Sequence, residues 1–126
     1  MEIGEQKHRT IDLDYLKATC ANDETLMNMV MKTFVDKTPA LIDSLGDANR
    51  SQRWEEVKSI SHKLKSSFLT FGAKDTSEVL AEVESSSTEL LASNENQSDH
   101  INQLVAQASE LGKKVIEEIN EELGKN

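Results

Sequence analysis

The stretch that decides the fold is Ser59-Ile60-Ser61-His62-Lys63-Leu64-Lys65-Ser66-Ser67-Phe68-Leu69-Thr70-Phe71-Gly72-Ala73. In and just before it, apolar side chains recur at spacings of three or four residues: Val57, Ile60, Leu64, Phe68 and Phe71. Because an α-helix turns by about 100° per residue, this spacing places them in one stripe. We therefore predict a helix over about residues 52–71 that buries the stripe and stops at Gly72.

His62 is predicted to face away from the apolar stripe, at roughly 160° from its middle. Lys65, three residues on, and Lys58, four residues back, share the side of His62, as does Leu69, two turns on. An imidazole that faces water beside ammonium groups and an apolar residue suits an anion-handling site with a docking surface. The plain alternative is a solvated surface histidine without a role.

The motif His62-x-Leu64-Lys65-x-Ser67, followed by Phe71-Gly72-Ala73 and Leu80-x-x-x-Glu84, resembles the signature of histidine-containing phosphotransfer (HPt) domains. These domains are the helical relay modules of multistep two-component signalling. Residues 34–39 (FVDKTP) and Trp54 are also similar to the family, so the resemblance covers roughly residues 12 to 90. It implies that His62 accepts a phosphoryl group from an aspartyl phosphate of a receiver domain and passes it to an aspartate of another receiver.

The resemblance also implies roles around the histidine. Lys65 is expected to stabilise the transferred phosphoryl oxygens, and Ser66 stands where the family usually has glycine, as a small residue able to donate a hydrogen bond. Three side chains are expected to dock the partner: Lys58, Lys63 and Leu69. No cofactor or metal is expected on this chain, because the receiver brings the Mg²⁺. His8 and His100 have none of the motif around them.

The rest of the chain predicts an all-α fold: an up-down antiparallel four-helix bundle with a short additional helix at the N-terminal end. Thr10 or Asp12 is the expected cap of the short helix. The second helix is expected to bend at Pro39 and to close over residues 46–53. Its expected inward residues are Leu26, Met29, Val30, Phe34, Leu41, Leu45 and Ala48.

The two helices after the histidine helix are predicted from the same kind of spacing. One should run over about residues 75–91, weakened at residues 85–88 (SSST), with a polar loop over residues 92–98. The last helix should bury a stripe made of Ile101, Leu104, Val105, Ala108, Leu111, Val115, Ile119 and Leu123. Its outer acidic run is expected to be solvated: Glu117, Glu118, Glu121 and Glu122.

Length and composition bound the functional classes. The 126 residues suit one domain, predicted as a flexible tail at residues 1–9 and a bundle at 10–126, expected to be monomeric. A net charge of −9 argues against nucleic acid, and no apolar run is long enough for a membrane contact. The single cysteine, Cys20, forbids an internal disulfide and favours a cytoplasmic location.

Two other functional hypotheses stay open at the level of sequence. A histidine kinase dimerisation fragment also carries a histidine on a helix, but in a two-helix hairpin that needs a second chain and a nucleotide-binding domain. A helical interaction module with an idle histidine would share the whole pattern. The chain is compatible with a stand-alone protein and with a piece of a hybrid sensor histidine kinase.

Overall fold

The computed structural model describes residues 10–93 and 98–125, and five α-helices account for nearly all of them. The helices are α1 (Leu13–Thr19), α2 (Glu24–Arg50), α3 (Trp54–Thr70), α4 (Lys74–Ser93) and α5 (Asp99–Gly124). No strand occurs within the two described ranges. The prediction of an all-α fold with one short leading helix is confirmed. The predicted tail at residues 1–9 lies outside the described residues.

The four long helices form a closed ring. Each packs on two others: α2 on α3 and α5, and α4 on α3 and α5, with α3 and α4 in the most extensive contact. Short connections make consecutive helices antiparallel. The short α1 lies against α2 and α3. One chain thus supplies all four helices of the bundle, unlike a kinase dimerisation hairpin, which needs a second copy.

The core is centred on α3 and its aromatic neighbours. Val57, Leu64 and Phe68 are buried along α3, and the ring of Phe34 from α2 meets Phe68 edge-on at a centroid distance of 5.1 Å. Ile60 is only partly buried, whereas Ser61 is fully buried. The Ser61 hydroxyl can lie there because it donates to the carbonyl of Val57 at 2.7 Å.

The inward face of α2 differs from the prediction in its first half. Met29 and Leu26 are 61% and 42% exposed, and Leu41 is only partly buried. The prediction is confirmed for Phe34, Leu45 and Ala48, and the other residues that face the core are Met31, Thr38, Ile42 and Asn49. Both sets have helical spacing in the sequence, and the contacts of α2 with α3 and α5 decide which set is buried.

Two helices run further than predicted. The helix α2 continues past Pro39 and through Gly46 to Arg50, so residues 46–50 belong to it and do not form a closing loop. The helix α4 continues through its serine-rich part to Ser93. There the hydroxyls of Ser87 and Thr88 donate to the carbonyl of Glu84, at 2.8 and 3.0 Å, and so stay within the helix.

The helices α2 and α3 end in the same left-handed turn. After α3, Gly72 has φ +67°, the Ala73 N–H donates to the Phe68 carbonyl at 3.1 Å, and the Gly72 N–H donates to the Leu69 carbonyl at 2.9 Å. After α2, Gln52 takes the position of the glycine with φ 57°. A residue in that conformation cannot belong to a right-handed helix, so α3 begins at Trp54 and not at residue 52.

The segment before α1 is fixed to the bundle at two points. The Asp12 N–H donates to the carbonyl of Phe71 at 2.8 Å, and the Asp12 carboxylate caps α1 by accepting from the N–H of Tyr15 at 3.1 Å. Asp12, not Thr10, is therefore the cap. The N–H of Thr10 donates to the carboxylate of Glu118 at 2.8 Å.

The acidic run on α5 was predicted to be solvated, but two of its glutamates bind other groups of the chain. Glu118 holds the N-terminal segment, and Glu122, whose side chain is 17% exposed, pairs with Lys125 at 2.9 Å. Within the described ranges, no helix combines the length and apolarity that a bilayer crossing requires.

Replacing Gly72 by alanine is expected to destabilise the fold. The residue has a positive φ, and an added Cβ would lie 2.6 Å from the Cβ of Asp12. We expect the free energy of unfolding in urea to fall by roughly 2 kcal/mol.

Gly46→Ala is the matched control, because Gly46 is helical and an added Cβ meets only the Arg50 side chain at 3.5 Å. That variant should be more stable than the wild type by up to about 1 kcal/mol. Equal changes in the free energy of unfolding for Gly72→Ala and Gly46→Ala would contradict the role given to the positive φ of Gly72.

Candidate histidine site

The imidazole of His62 stands on the outer side of the middle of α3. Its side chain is 62% exposed, as the helical spacing predicts, because Val57, Leu64 and Phe68 hold the other side of α3 in the core. The neighbouring helix α4 packs along α3 and brings one further side chain to the ring. That side chain is Glu84.

The Glu84 carboxylate contacts both His62 and Lys65. Its Oε2 lies 3.1 Å from Nδ1 of His62, and its Oε1 accepts from Nζ of Lys65 at 2.8 Å. The Lys65 and Glu84 side chains are 27% and 22% exposed, so this ion pair is more sheltered than the imidazole. Each carboxylate oxygen therefore has its own partner, one on the ring and one on the ammonium group.

A hydrogen bond between α3 and α4 helps to position Glu84. Ser77 is buried on α4, and its hydroxyl donates to the carbonyl of Lys65 at 3.4 Å. Glu84 follows Ser77 by seven residues, which is two helical turns, so both side chains project towards α3. The same interface that closes the bundle thus brings the carboxylate to the histidine.

The pair with Lys65 keeps Glu84 ionised. The hydrogen bond from Lys65 lowers the pKa of Glu84 below its ordinary value; burial opposes this in part, and the hydrogen bond with His62 lowers the pKa further. An ionised carboxylate can only accept hydrogen bonds. A neutral His62 ring therefore carries its proton on Nδ1, directed at Glu84, and keeps a lone pair on Nε2.

The other predicted site residues surround this group without contacting it. Ser66 is exposed one turn after His62, and its hydroxyl makes no hydrogen bond to any described residue. Lys58 and Lys63 are exposed and form no ion pair within the described ranges. Leu69 is 43% exposed.

The remaining candidate ligands lie apart from the site. His100 is exposed at the start of α5, and His8 lies outside the described residues. Cys20 is buried with 3% exposure. Over residues 10–93 and 98–125, no three His, Cys, Asp or Glu side chains are grouped so that they could hold a metal ion.

Glu84 is the site residue that the sequence interpretation missed. It was recognised only as the last letter of the motif and given no role. The signal that could have found it is its distance from the turn: His62 lies ten residues before Gly72, and Glu84 lies twelve after it. Residues at similar distances from the turn of a helical hairpin face each other.

The closed four-helix bundle thus presents the His62 imidazole to solvent beside a carboxylate and an ammonium group. The family model of the Hpt domain matches residues 29–123, which leaves out α1 and takes in nearly all of α5. The chain belongs to the Hpt domain family, whose members serve phosphotransfer in two-component phosphorelays. No curated protein and no solved structure matched the chain.

The lowered pKa of Glu84 predicts a stability difference that depends on pH. Because the folded-state pKa lies below the unfolded one, the ion pair contributes stability above the ordinary glutamate pKa and loses it as the pH falls through the lowered pKa. Denaturant unfolding should show Glu84→Gln less stable than the wild type by about 0.5–1 kcal/mol at pH 7. This gap, the difference in free energy of unfolding between the two proteins, should disappear at acidic pH.

Glu82→Gln is the matched control, since Glu82 is exposed on the same helix and has no ion pair with a described residue. It removes the same charge and should show no such pH-dependent gap. A gap for Glu84→Gln that persists unchanged at pH 3, which is about one unit below the ordinary glutamate pKa, would refute the assignment.

Proposed function

We propose that His62 is the phosphoacceptor of a phosphorelay, taking a phosphoryl group from the aspartyl phosphate of one receiver domain and giving it to an aspartate of another. The observation that carries the proposal is the exposed ring of His62 with its Nδ1 on Glu84 at 3.1 Å. In a neutral ring that donates from Nδ1 to Glu84, Nε2 is the nitrogen that carries the lone pair.

The transfer needs only one nucleophile on this chain. The Nε2 lone pair attacks phosphorus, the bond between phosphorus and the receiver aspartate oxygen breaks, and its electrons remain on the aspartate carboxylate. The ring then carries a positive charge, which the ionised Glu84 stabilises through the Nδ1 proton. The second transfer is the same step in reverse, onto another carboxylate. Positioning and charge stabilisation dominate catalysis of such reactions.

Two side chains support the phosphoryl group in this proposal. Lys65 lies one helical turn from His62 and binds the same carboxylate, so its flexible stem can carry the ammonium group to the phosphoryl oxygens. Ser66 follows His62 by four residues, and a helical side chain leans towards the preceding turn. Its free hydroxyl is therefore available as a hydrogen-bond donor to the phosphoryl group.

Docking is assigned to the exposed side chains around the histidine. Lys58 and Lys63 offer two positive charges that pair with none of the described residues, on a chain with a net charge of −9. They complement a partner whose own site is acidic, and Leu69 supplies an apolar contact. The partner is a receiver domain, which brings the Mg²⁺ ion that holds its aspartyl phosphate.

The chain acts in this proposal as a phosphocarrier and not as an enzyme, because every step on it is stoichiometric. We also propose that it works as a monomer in the cytoplasm. Its donor receiver is either a separate protein or part of a hybrid sensor histidine kinase.

The direct test is transfer of labelled phosphate from a phosphorylated receiver. The wild type should acquire label that is labile in acid and stable in base, as expected for phosphohistidine. His62→Gln should acquire none, whereas His100→Gln, which alters another exposed histidine, should match the wild type. Label retained by His62→Gln would remove His62 from the mechanism. Partner binding that survives His62→Gln, with no transfer of label to the wild type, would select the interaction module with an idle histidine.

The docking assignment predicts a salt-dependent transfer rate. Reversing the two charges, with Lys58→Glu and Lys63→Glu together, should slow transfer about 10-fold at low ionic strength, because the partner is no longer attracted. The difference should shrink in high salt, where charges are screened.

The control is Lys113→Glu with Lys114→Glu, which makes the same charge change on the exposed face of α5. It should slow transfer much less. Equal slowing by both double variants would show that net charge alone matters and would reject this docking surface.

A further inference from the structure

In the proposed reaction, the Lys65 ammonium group has two possible anionic partners. The Glu84 carboxylate is present throughout, and the phosphoryl group is added when His62 is phosphorylated. We propose that Glu84 competes with the phosphoryl group for Lys65 and so makes the phosphohistidine a readier donor of its phosphoryl group. This inference rests on the proposed role of His62, and it assigns to Glu84 a function in the release of the group.

The geometry shows that Lys65 is occupied before phosphorylation. Its ammonium group donates to Oε1 of Glu84 at 2.8 Å, in a pair whose side chains are both less than a third exposed. The other oxygen of Glu84 is taken up by His62. Because the imidazole itself is 62% exposed, the incoming group arrives at the open side of the ring while the cation is held on the sheltered side.

A phosphoryl group on Nε2 changes the balance of charge at once. It adds between one and two negative charges close to an ionised carboxylate, and the Lys65 ammonium group that pairs with Glu84 is also the one assigned to the phosphoryl oxygens. If Lys65 moves to the phosphoryl oxygens, Glu84 keeps only the Nδ1 proton as a partner in a partly buried position. If Lys65 stays, the phosphoryl group lacks the ammonium group that the proposed function assigns to its oxygens. Either arrangement deprives one of the two anions of its contact with Lys65, a cost that acts against the stabilisation of the ring by Glu84.

Departure of the group relieves this conflict. The carboxylate of the second receiver attacks phosphorus, the bond from phosphorus to Nε2 breaks, and its electron pair returns to Nε2. The proton on Nδ1 stays in place, so the ring leaves as neutral imidazole. Lys65 then pairs again with Glu84. Re-forming the ion pair thus favours release, and removing the carboxylate should prolong the life of the phosphohistidine.

The alternative is that the ion pair between Lys65 and Glu84 only stabilises the packing of α3 against α4. In that case, substituting Glu84 would alter the stability of the bundle but not the lifetime of a phosphohistidine on it. A lifetime measurement therefore separates the two roles.

The experiment phosphorylates the whole chain with phosphoramidate, whose ammonia leaves as Nε2 attacks phosphorus, so that no receiver is needed. Loss of phosphohistidine is then followed by ³¹P NMR at pH 7. Glu84→Gln keeps a carbonyl that can accept the Nδ1 proton but removes the charge. Its phosphohistidine should last about three-fold longer than that of the wild type or more. Glu82→Gln, with the same charge change on the same helix, should not differ from the wild type.

The Lys65→Met variant tests whether Glu84 changes the lifetime of the phosphohistidine by way of Lys65. Without the shared cation, adding Glu84→Gln should lengthen the lifetime by less than half of its effect in the wild type, since the two residues no longer compete. An undiminished effect in the Lys65→Met background would overturn the competition.

A measurement on the wild type covers the case in which Glu84→Gln does not fold. The ¹³C resonances of the Lys65 Cε and the Glu84 carboxylate should both shift on phosphorylation as the pair separates, and both should return as the label is lost. Unchanged resonances, or equal lifetimes for Glu84→Gln and Glu82→Gln, would overturn this inference and leave His62 as phosphoacceptor. A wild type that takes no label on His62 would overturn the proposed function as well.

Discussion

The site depends on the rotation of α3 about its own axis, and burial of Leu64 and Phe68 fixes that rotation. Both side chains are 1% exposed, so turning the helix to bury His62 would bring two large apolar side chains towards water. Each would lose about 1.5–3 kcal/mol of hydrophobic stabilisation. The opposite wall is shaped to match: Gly112 of α5 is buried where an added Cβ would lie 3.1 Å from the Phe68 ring. The exposure of the imidazole is thus a consequence of the core.

The turn at Gly72 provides the second constraint, because it sets the register of α4 against α3. The closed hydrogen bonds of this turn and the contact with Asp12 leave little freedom in where α4 starts. A shift of α4 by one residue would rotate its face by about 100° and direct the Glu84 carboxylate away from α3. The contact with His62 therefore depends on a glycine twelve residues away as much as on the glutamate itself.

Most of the fold could be predicted from the sequence, because the apolar stripes of α3 and α5 have only one plausible inward face. For α2 this was not so. Met29 and Met31 both lie on helical repeats of apolar residues, and only the contacts with the neighbouring helices show that Met31 is buried and Met29 exposed. Helix ends were predicted where glycine marks them, as at Gly72, and missed where Gln52 takes the same left-handed conformation.

As with the fold, only part of the candidate site could be predicted from the sequence. His62 and Lys65 lie within one helical turn of each other, so helix geometry alone brings them to one side. Glu84 comes from the next helix, and its contact with them depends on the register across the turn, which no local pattern encodes. The lowered pKa of Glu84 results from its contacts with Lys65 and His62, so it could not be inferred from the sequence alone.

In the proposed transfer, the charges around His62 change when the ring takes up a phosphoryl group. Before that step, the Glu84 carboxylate contacts the His62 ring with one oxygen and the Lys65 ammonium group with the other. The phosphoryl group of the proposed reaction brings a second anion to the ammonium group that Glu84 already binds, and the proposed receiver partner offers the phosphoryl group another acceptor. Because Lys65 and Glu84 are already paired before that step, we propose that α3 and α4 hold the phosphoryl group in transit and do not store it.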